Sequence, residues 1–236
     1  MQTFHDLGLN EALVTAVTEL GFEQPTPVQA QAIPTLLANS IDLVALAQTG
    51  TGKTAAFGLP LLNQIDATMR RPQGLILCPT RELCIQISRD LQSYARHMSA
   101  VKVVSVYGGA SIESQMRDLK DGAQIIVATP GRMVDIIERN KVDLTSIAVA
   151  ILDEADEMLN MGFKEDLDFI LSYTPEDKQT WLFSATMPAE VARIAKTYMD
   201  SPVEITLGTK NSGNENIEHI FYSVSVKDKY PALKRI

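Results

Sequence analysis

Residues 41–54 read IDLVALAQTGTGKT. The first seven form an apolar run that suits a strand buried on both faces. The last eight close it with a Gly-rich turn that ends in Lys53 and Thr54, and a helical stretch follows. Strand, Gly-rich loop and helix in that order are the context a phosphate-binding loop requires. Gly50 and Gly52 permit a tight turn that brings backbone N–H groups close to phosphate oxygens. The helix behind them points its positive end at the same place. Gln48, Thr49 and Thr51 complete the loop. Lys53 can reach the β- and γ-phosphates of a nucleotide, and the Thr54 hydroxyl can ligate Mg²⁺. The strict GxxxxGK[ST] pattern has Gly where this chain has Ala47. That mismatch leaves a plain Gly-Thr turn with an incidental lysine as the other reading.

Outward from this stretch the same alternation repeats. Apolar runs occur at 41–47, 74–79, 101–106, 124–128, 147–152, 180–183 and 203–207, with amphipathic segments such as 81–98 and 112–120 between them. The runs are nearly continuous in Val, Ile and Leu, as strands of a parallel sheet are when both faces are covered. The expectation is an α/β fold, a mostly parallel doubly wound sheet with helices on both faces. Ligands then bind at the carboxyl ends of the strands. Two helices, 8–20 and 27–38, precede the first strand and flank GFEQPTP at 21–27. Residues 208–216 (GTKNSGNEN) read as a linker, and 217–226 as one more strand.

Residues 147–156 read IAVAILDEAD. The apolar run delivers Asp153 and Glu154 to a strand end. Beside a phosphate loop, Asp153 suits Mg²⁺, partly through water, and Glu154 suits polarising the water that attacks the γ-phosphate. Taken alone, the same residues read as a solvated acidic turn that opens a helix. The pairing with 47–54 favours the first reading.

Composition sets the outer limits. The 236 residues carry 21 Lys and Arg against 29 Asp and Glu, a formal charge of −8. That balance by itself argues against nucleic acid. The excess is local, however. Residues 153–177 hold nine acids and one base, and the rest of the chain has 20 of each. Residues 70–141 carry 11 bases and seven acids. No apolar run approaches the ~20 residues of a membrane helix, and the N-terminus has no signal-peptide pattern. Cys78 and Cys84 cannot form a disulfide scaffold, and a reducing cytoplasmic setting is expected. Both cysteines, with Met158 and Met161, are expected to pack. His5, His97 and His219 lack metal-site spacing and are expected at the surface or in packing.

Several strings in one order carry a resemblance: GFEQPTPVQ at 21–29, AQTGTGKT at 47–54, PTREL at 79–83, Gly108–Gly109, TPGR at 129–132, DEAD at 153–156 and SAT at 184–186. Together they resemble the N-terminal RecA-like, ATP-binding domain of a DEAD-box ATP-dependent RNA helicase, over essentially the whole chain. That family also has Ala at position 47. The resemblance implies a RecA-like P-loop domain over 1–207, with a Q motif at 2–30, and a linker leading toward a second RecA-like domain over 208–236.

The resemblance also implies roles. GFEQPTPVQ looks like the adenine reader: Phe22 would stack on the base, Gln29 would bond its edge, and Thr26 and Gln24 would lie around it. Phe4 matches the family's upstream aromatic. Thr26 also reads as a helix cap before Pro27. Asp153, Glu154 and Lys53 would be catalytic. Ser184 and Thr186 would bond Asp156 and couple nucleotide state to RNA. An RNA face would be formed by Pro79, Thr80, Arg81, Gly108, Gly109, Thr129, Pro130, Gly131 and Arg132. Main-chain N–H groups and two arginines suit a phosphate backbone with little sequence preference. The plainer readings pair Arg81 with Glu82, and Arg132 with Asp135 on one helix.

Cofactors implied are ATP and Mg²⁺. Partners are RNA and a C-terminal RecA-like domain, since no HRxGRxxR-like arginine-finger string occurs here. The chain is therefore expected to be a monomeric half that hydrolyses ATP slowly by itself. A nucleotide kinase and an RNA clamp that uses ATP as a latch are the competing functions.

Overall fold

The computed structural model describes residues 2–38, 40–207 and 220–235. All seven apolar runs form strands: β1 (Leu43–Leu46), β2 (Gly74–Leu77), β3 (Val103–Val106), β4 (Ile125–Ala128), β5 (Val149–Asp153), β6 (Gln179–Ser184) and β7 (Val203–Thr206). They make one sheet in the order β3-β4-β2-β5-β6-β1-β7. Every pairing is parallel. Parallel strands need crossovers, and the amphipathic segments supply them.

The helices divide between the two faces. On one side lie α1 (Glu11–Glu19), α2 (Pro27–Ala38), α3 (Lys53–Gln64) and α4 (Arg81–Tyr94). They bury Leu13, Ile33, Phe57 and Leu91 against Ile76, Ile151, Trp181 and Phe183. On the other lie α5 (Ile112–Lys120), α6 (Pro130–Glu138), α7 (Ala155–Asn160), α8 (Lys164–Ser172) and α9 (Ala189–Tyr198). They bury Leu119, Ile136, Met158, Ile170 and Ile194 against Leu75, Ile126, Leu152 and Leu182. Alternate residues of each strand thus face opposite helix layers. The central strands are covered on both sides, which is why their sequences are apolar without alternation.

Three expectations are corrected. Met161 follows α7 and is 47 % exposed, so it does not pack as Met158 does. The 81–98 helix ends at Tyr94, and 95–98 turn toward β3. No strand forms over 220–225, where Ile220, Phe221, Tyr222 and Val224 are exposed. The proposed linker at 208–216 and His219 lie outside the described residues. His5 is exposed, and His97 meets Glu19 at 3.0 Å on the surface.

At the amino ends of the strands, Asp42 stitches three of them together. Its two carboxylate oxygens accept from the backbone N–H groups of Thr180 and Asp200, each at 2.6 Å. Its carbonyl accepts from Val203. Asp42→Ala leaves two donors without their charged acceptor and is expected to cost about 2–4 kcal/mol of stability. Urea denaturation reads the loss. An unchanged midpoint would show that Asp42 does not hold β6 and the β7 approach.

Candidate functional site

The strand order sorts the motif-bearing loops into two groups. β5, β6 and β1 are neighbours, and their carboxyl ends carry DEAD, SAT and the phosphate loop. β2, β4 and β3 are neighbours, and theirs carry PTREL, TPGR and the Gly pair. The register levels the ends: Leu46 lies opposite Ser184, and Asp153 opposite Phe183.

Gly50 has φ +79° and Gly52 has φ +90°, a left-handed geometry that favours glycine at both turns of the phosphate loop. A Cβ on Gly52 would lie 2.4 Å from Gln29 Nε2, so the loop has no room for a side chain there. Thr51 closes the turn by donating from Oγ1 to the Gln48 carbonyl at 2.8 Å. Thr49 and Gly50 are exposed, and Thr54 is half-buried in the first turn of α3. Lys53 is 7 % exposed, and its Nζ has no hydrogen-bond partner among the described residues. A buried ammonium without an acceptor is costly. It fits a site that takes an anion.

Asp153 is buried at the end of β5, and its Oδ1 accepts from the Glu154 N–H at 3.0 Å. Burial pushes its pKa up to about 6, while the nearby Lys53 ammonium pulls it down. Glu154 opens α7 with φ 52° and ψ 50°, a strained conformation for a non-glycine residue. Strain of that kind recurs at sites of chemistry. Asp156 lies in the first turn of α7. Its Oδ2 accepts from Thr186 N at 2.9 Å and from Thr186 Oγ1 at 2.7 Å, and its N–H donates to Ser184 Oγ at 3.3 Å. Burial pushes the Asp156 carboxyl up, but the Thr186 and Ser184 bonds outweigh it and hold the group below its usual value.

Around the Q motif the contacts differ from the simplest expectation. Gln29 is 4 % exposed; its Oε1 accepts from Thr26 N at 3.0 Å and its Nε2 donates to the Gly52 carbonyl at 3.1 Å. The Gln29 amide therefore ties the Q motif to the phosphate loop. Thr26 caps nothing by side chain; its Oγ1 is buried, with no partner among the described residues. The Phe22 ring sits between Phe4 and Tyr94, at centroid distances of 5.9 and 6.1 Å. Gln24 is exposed.

The second group of loops is held by side chains. Thr80 Oγ1 caps α4 by accepting from Leu83 N at 3.2 Å. Arg81 forms no ion pair with Glu82. Its guanidinium lies 5.1 Å from the Tyr107 ring centroid and donates to the Gly109 carbonyl at 3.3 Å. Gly109 takes φ +78°. Thr129 and Pro130 start α6, Pro130 in the first turn where its missing N–H costs nothing. Arg132 does meet Asp135, at 3.7 Å, but its stronger contacts are to the Ala110 carbonyl at 3.0 Å and to Gln115 Oε1 at 3.1 Å. Pro79 is buried, Gly131 is half-buried and Gly108 is exposed.

A family model described as DEAD/DEAH box helicase matches residues 26–194, most of the chain and nearly every loop described above. The chain belongs to the DEAD/DEAH box helicase family. It is 46 % identical over 233 residues to an ATP-dependent RNA helicase DeaD of Klebsiella pneumoniae, covering 99 % of this chain and 36 % of that protein. It is also 46 % identical, over its full length, to a DEAD-box ATP-dependent RNA helicase CshA of Bacillus cereus, of which it covers 45 %. Among solved structures, a DEAD box protein from Methanococcus jannaschii superposes with TM-score 0.82 at 38 % identity, over all of this chain and 63 % of that one. The chain thus spans less than half the length of these curated relatives.

For this DEAD/DEAH box domain, two residues that touch motif residues escape a reading of motifs. Tyr94 and Gln115 lie outside every string. Gln115 left one signal, a polar residue on the apolar stripe of α5, three after Ile112 and four before Leu119. Among the described residues no cluster of three or more His, Cys, Asp or Glu could hold a metal ion by itself. Cys78 and Cys84 are buried, and the Cys78 thiol is pushed well up by its bond with Cys84 and by burial.

The raised Asp153 pKa has a consequence for stability. The folded domain keeps that proton to about pH 6, whereas an unfolded chain releases it near ~4. Between those values the folded state binds more protons, so stability falls as pH rises. The wild type is expected to lose up to about 3 kcal/mol across that window relative to Asp153→Asn. Parallel pH dependence of the two proteins in denaturant titrations would refute the assignment.

Proposed function

We propose that this chain is the N-terminal ATP- and RNA-binding half of an ATP-dependent RNA helicase, with residues 1–207 as its RecA-like domain. The observation that carries the nucleotide reading is Lys53, a buried ammonium with no acceptor among the described residues, placed behind a loop shaped by Gly50 and Gly52. The nucleotide phosphates would lie on the loop's N–H groups, with Lys53 against the β- and γ-phosphates.

The donor set also fits Mg²⁺. A hard cation takes oxygen ligands and keeps several waters, so one carboxylate, one hydroxyl and substrate phosphates suffice. Asp153 and the Thr54 hydroxyl would hold it, and bound there it would neutralise charge on the phosphates. Glu154, held at the mouth of α7 by its left-handed backbone, would take the proton of the attacking water. Asp156 reports the state of this end of the site to Ser184 and Thr186 through three hydrogen bonds. Gln29, bonded to the phosphate loop, would make adenine binding and loop geometry one event, with Phe22 beside the base.

The RNA reading rests on the second group of loops, where α4, α5 and α6 all begin. Their N-terminal dipoles favour a phosphate backbone. The relatives are more than twice as long as this chain. That difference supports a second RecA-like domain as the source of the missing arginine finger, worth ~10³–10⁵ in rate. No helix among the described residues is long and apolar enough to cross a membrane.

Glu154→Gln is expected to keep ATP affinity within about threefold and to lower turnover by about 10²-fold or more, as loss of a general base does. Equilibrium binding and single-turnover hydrolysis separate the two effects. Equal loss of both would remove Glu154 from the catalytic role. Steady-state ATPase with and without RNA tests the two-half reading: slow, weakly stimulated turnover is expected, and strong RNA-stimulated turnover by this chain alone would overturn it.

A further inference from the structure

Gln115 is a polar side chain buried at 5 % exposure on the inner face of α5. Its two amide atoms join the 107–110 loop to Arg132 on α6. Oε1 accepts from Arg132 Nη1 at 3.1 Å, and Nε2 donates to the Tyr107 carbonyl at 3.0 Å. Arg132 continues the chain of contacts to the Ala110 carbonyl at 3.0 Å. From the far side, Arg81 reaches the Gly109 carbonyl and lies on the Tyr107 ring. Loop residues 107–110 are thus held by side chains from α4, α5 and α6. Gln115 and Arg132 each bond the loop and one another, and Gln115 is the more buried of the two.

The loop needs such support. Gly108 and Gly109 are exposed, and neither carries a side chain to anchor the loop. Gly109 adopts a left-handed φ of +78°. A chain with two glycines loses much conformational freedom when fixed. An amide is the side chain that fits the gap. It gives an acceptor to a guanidinium and a donor to a carbonyl at the same time, which a carboxylate cannot do.

We propose that Gln115 is a positioning residue for RNA. It fixes the 107–110 backbone and the Arg132 guanidinium so that this loop presents its N–H groups to RNA phosphates in one geometry. The proposal rests on the RNA reading of this face.

The test uses this chain, a fluorescein-labelled ten-nucleotide uridine RNA and ADP. Three variants, Gln115→Met, Gln115→Glu and Arg81→Ala, are compared with the wild type. Gln115→Met keeps the side-chain length and removes both hydrogen bonds; Gln115→Glu keeps the acceptor for Arg132 and loses the donor to Tyr107. Gln115→Met is expected to weaken RNA binding about tenfold, the scale of a lost charge-assisted hydrogen bond. Gln115→Glu is expected to lie between it and the wild type. ADP affinity stays unchanged in both, and amide exchange accelerates in 107–111 while β4 keeps its protection. RNA binding weakened by Arg81→Ala but untouched by both Gln115 variants overturns the inference alone. No RNA binding by the wild type, or none that Arg81→Ala alters, overturns the RNA reading and the inference with it. A Gln115→Met variant that loses ADP and RNA binding together shows a general structural role and also overturns it.

Discussion

The position of β6 between β1 and β5 is the constraint from which the site follows. Parallel strands lie about 4.8 Å apart, so two strands with one between them end about 10 Å apart. That gap separates the phosphate loop on β1 from Asp153 on β5, and Lys53 occupies it at the start of α3. Had β1 paired directly with β5, the loop and the carboxylates would have met without room for phosphates. The interposed strand also ends in Ser184, so its continuation meets Asp156 without any long connection. The same ordering removes β2, β4 and β3 to the other half of the sheet.

The site departs from what stability alone would choose. Asp153 and Lys53 are buried, Glu154 is strained, and the Lys53 and Thr26 polar atoms lack partners among the described residues. Each is unfavourable in isolation. Two apolar layers around seven strands offset them, and the framework beneath is hydrogen-bonded strand by strand. Lys53, Asp153 and Glu154 lie at or just past strand ends, where ligands bind, whereas Gln179 Oε1 and Thr180 Oγ1, also buried without partners among the described residues, lie at the opposite end of β6.

Sequence patterning reveals the strands because burial on both faces leaves runs with no polar interruption, such as Ile125–Ala128 and Val149–Leu152. It leaves the strand order open, since nothing in Leu43–Leu46 names Trp181 rather than Ile151 as its neighbour. Motifs located the phosphate loop and the acidic motif because backbone geometry there demands particular residues, glycine above all. They were silent on how side chains connect motifs. Gln29 reads as a ligand for a base, yet its contacts in the structure are Thr26 and Gly52. Arg132 reads as a phosphate contact or an Asp135 partner, yet its side chain is 13 % exposed and its shortest bonds run to Ala110 and Gln115. The strand expected at 217–226 does not form at 220–225, where the side chains are exposed: alternation encodes a face but does not name the strand that would pair with it.

The two groups of loops touch the sheet at one shared seam. β2 pairs with β5, with Leu77 opposite Leu152, so Cys78 and Asp153 begin adjacent strand ends. Cys78 is fully buried there, its thiol near the carbonyls of Thr80 and Ala128. A packed seam of this kind is stiff, because a close-packed interior has low compressibility and passes strain on rather than absorbing it. Movement of Asp153 relative to Pro79 would have to break parallel pairing between β2 and β5. Asp156, by contrast, is bonded to the exposed Thr186, which lies after β6 and outside the sheet. The acidic motif is thus tied in two ways, rigidly to β2 through the sheet and by side-chain hydrogen bonds to the loop after β6. The sheet itself holds the two groups of loops apart at fixed spacing.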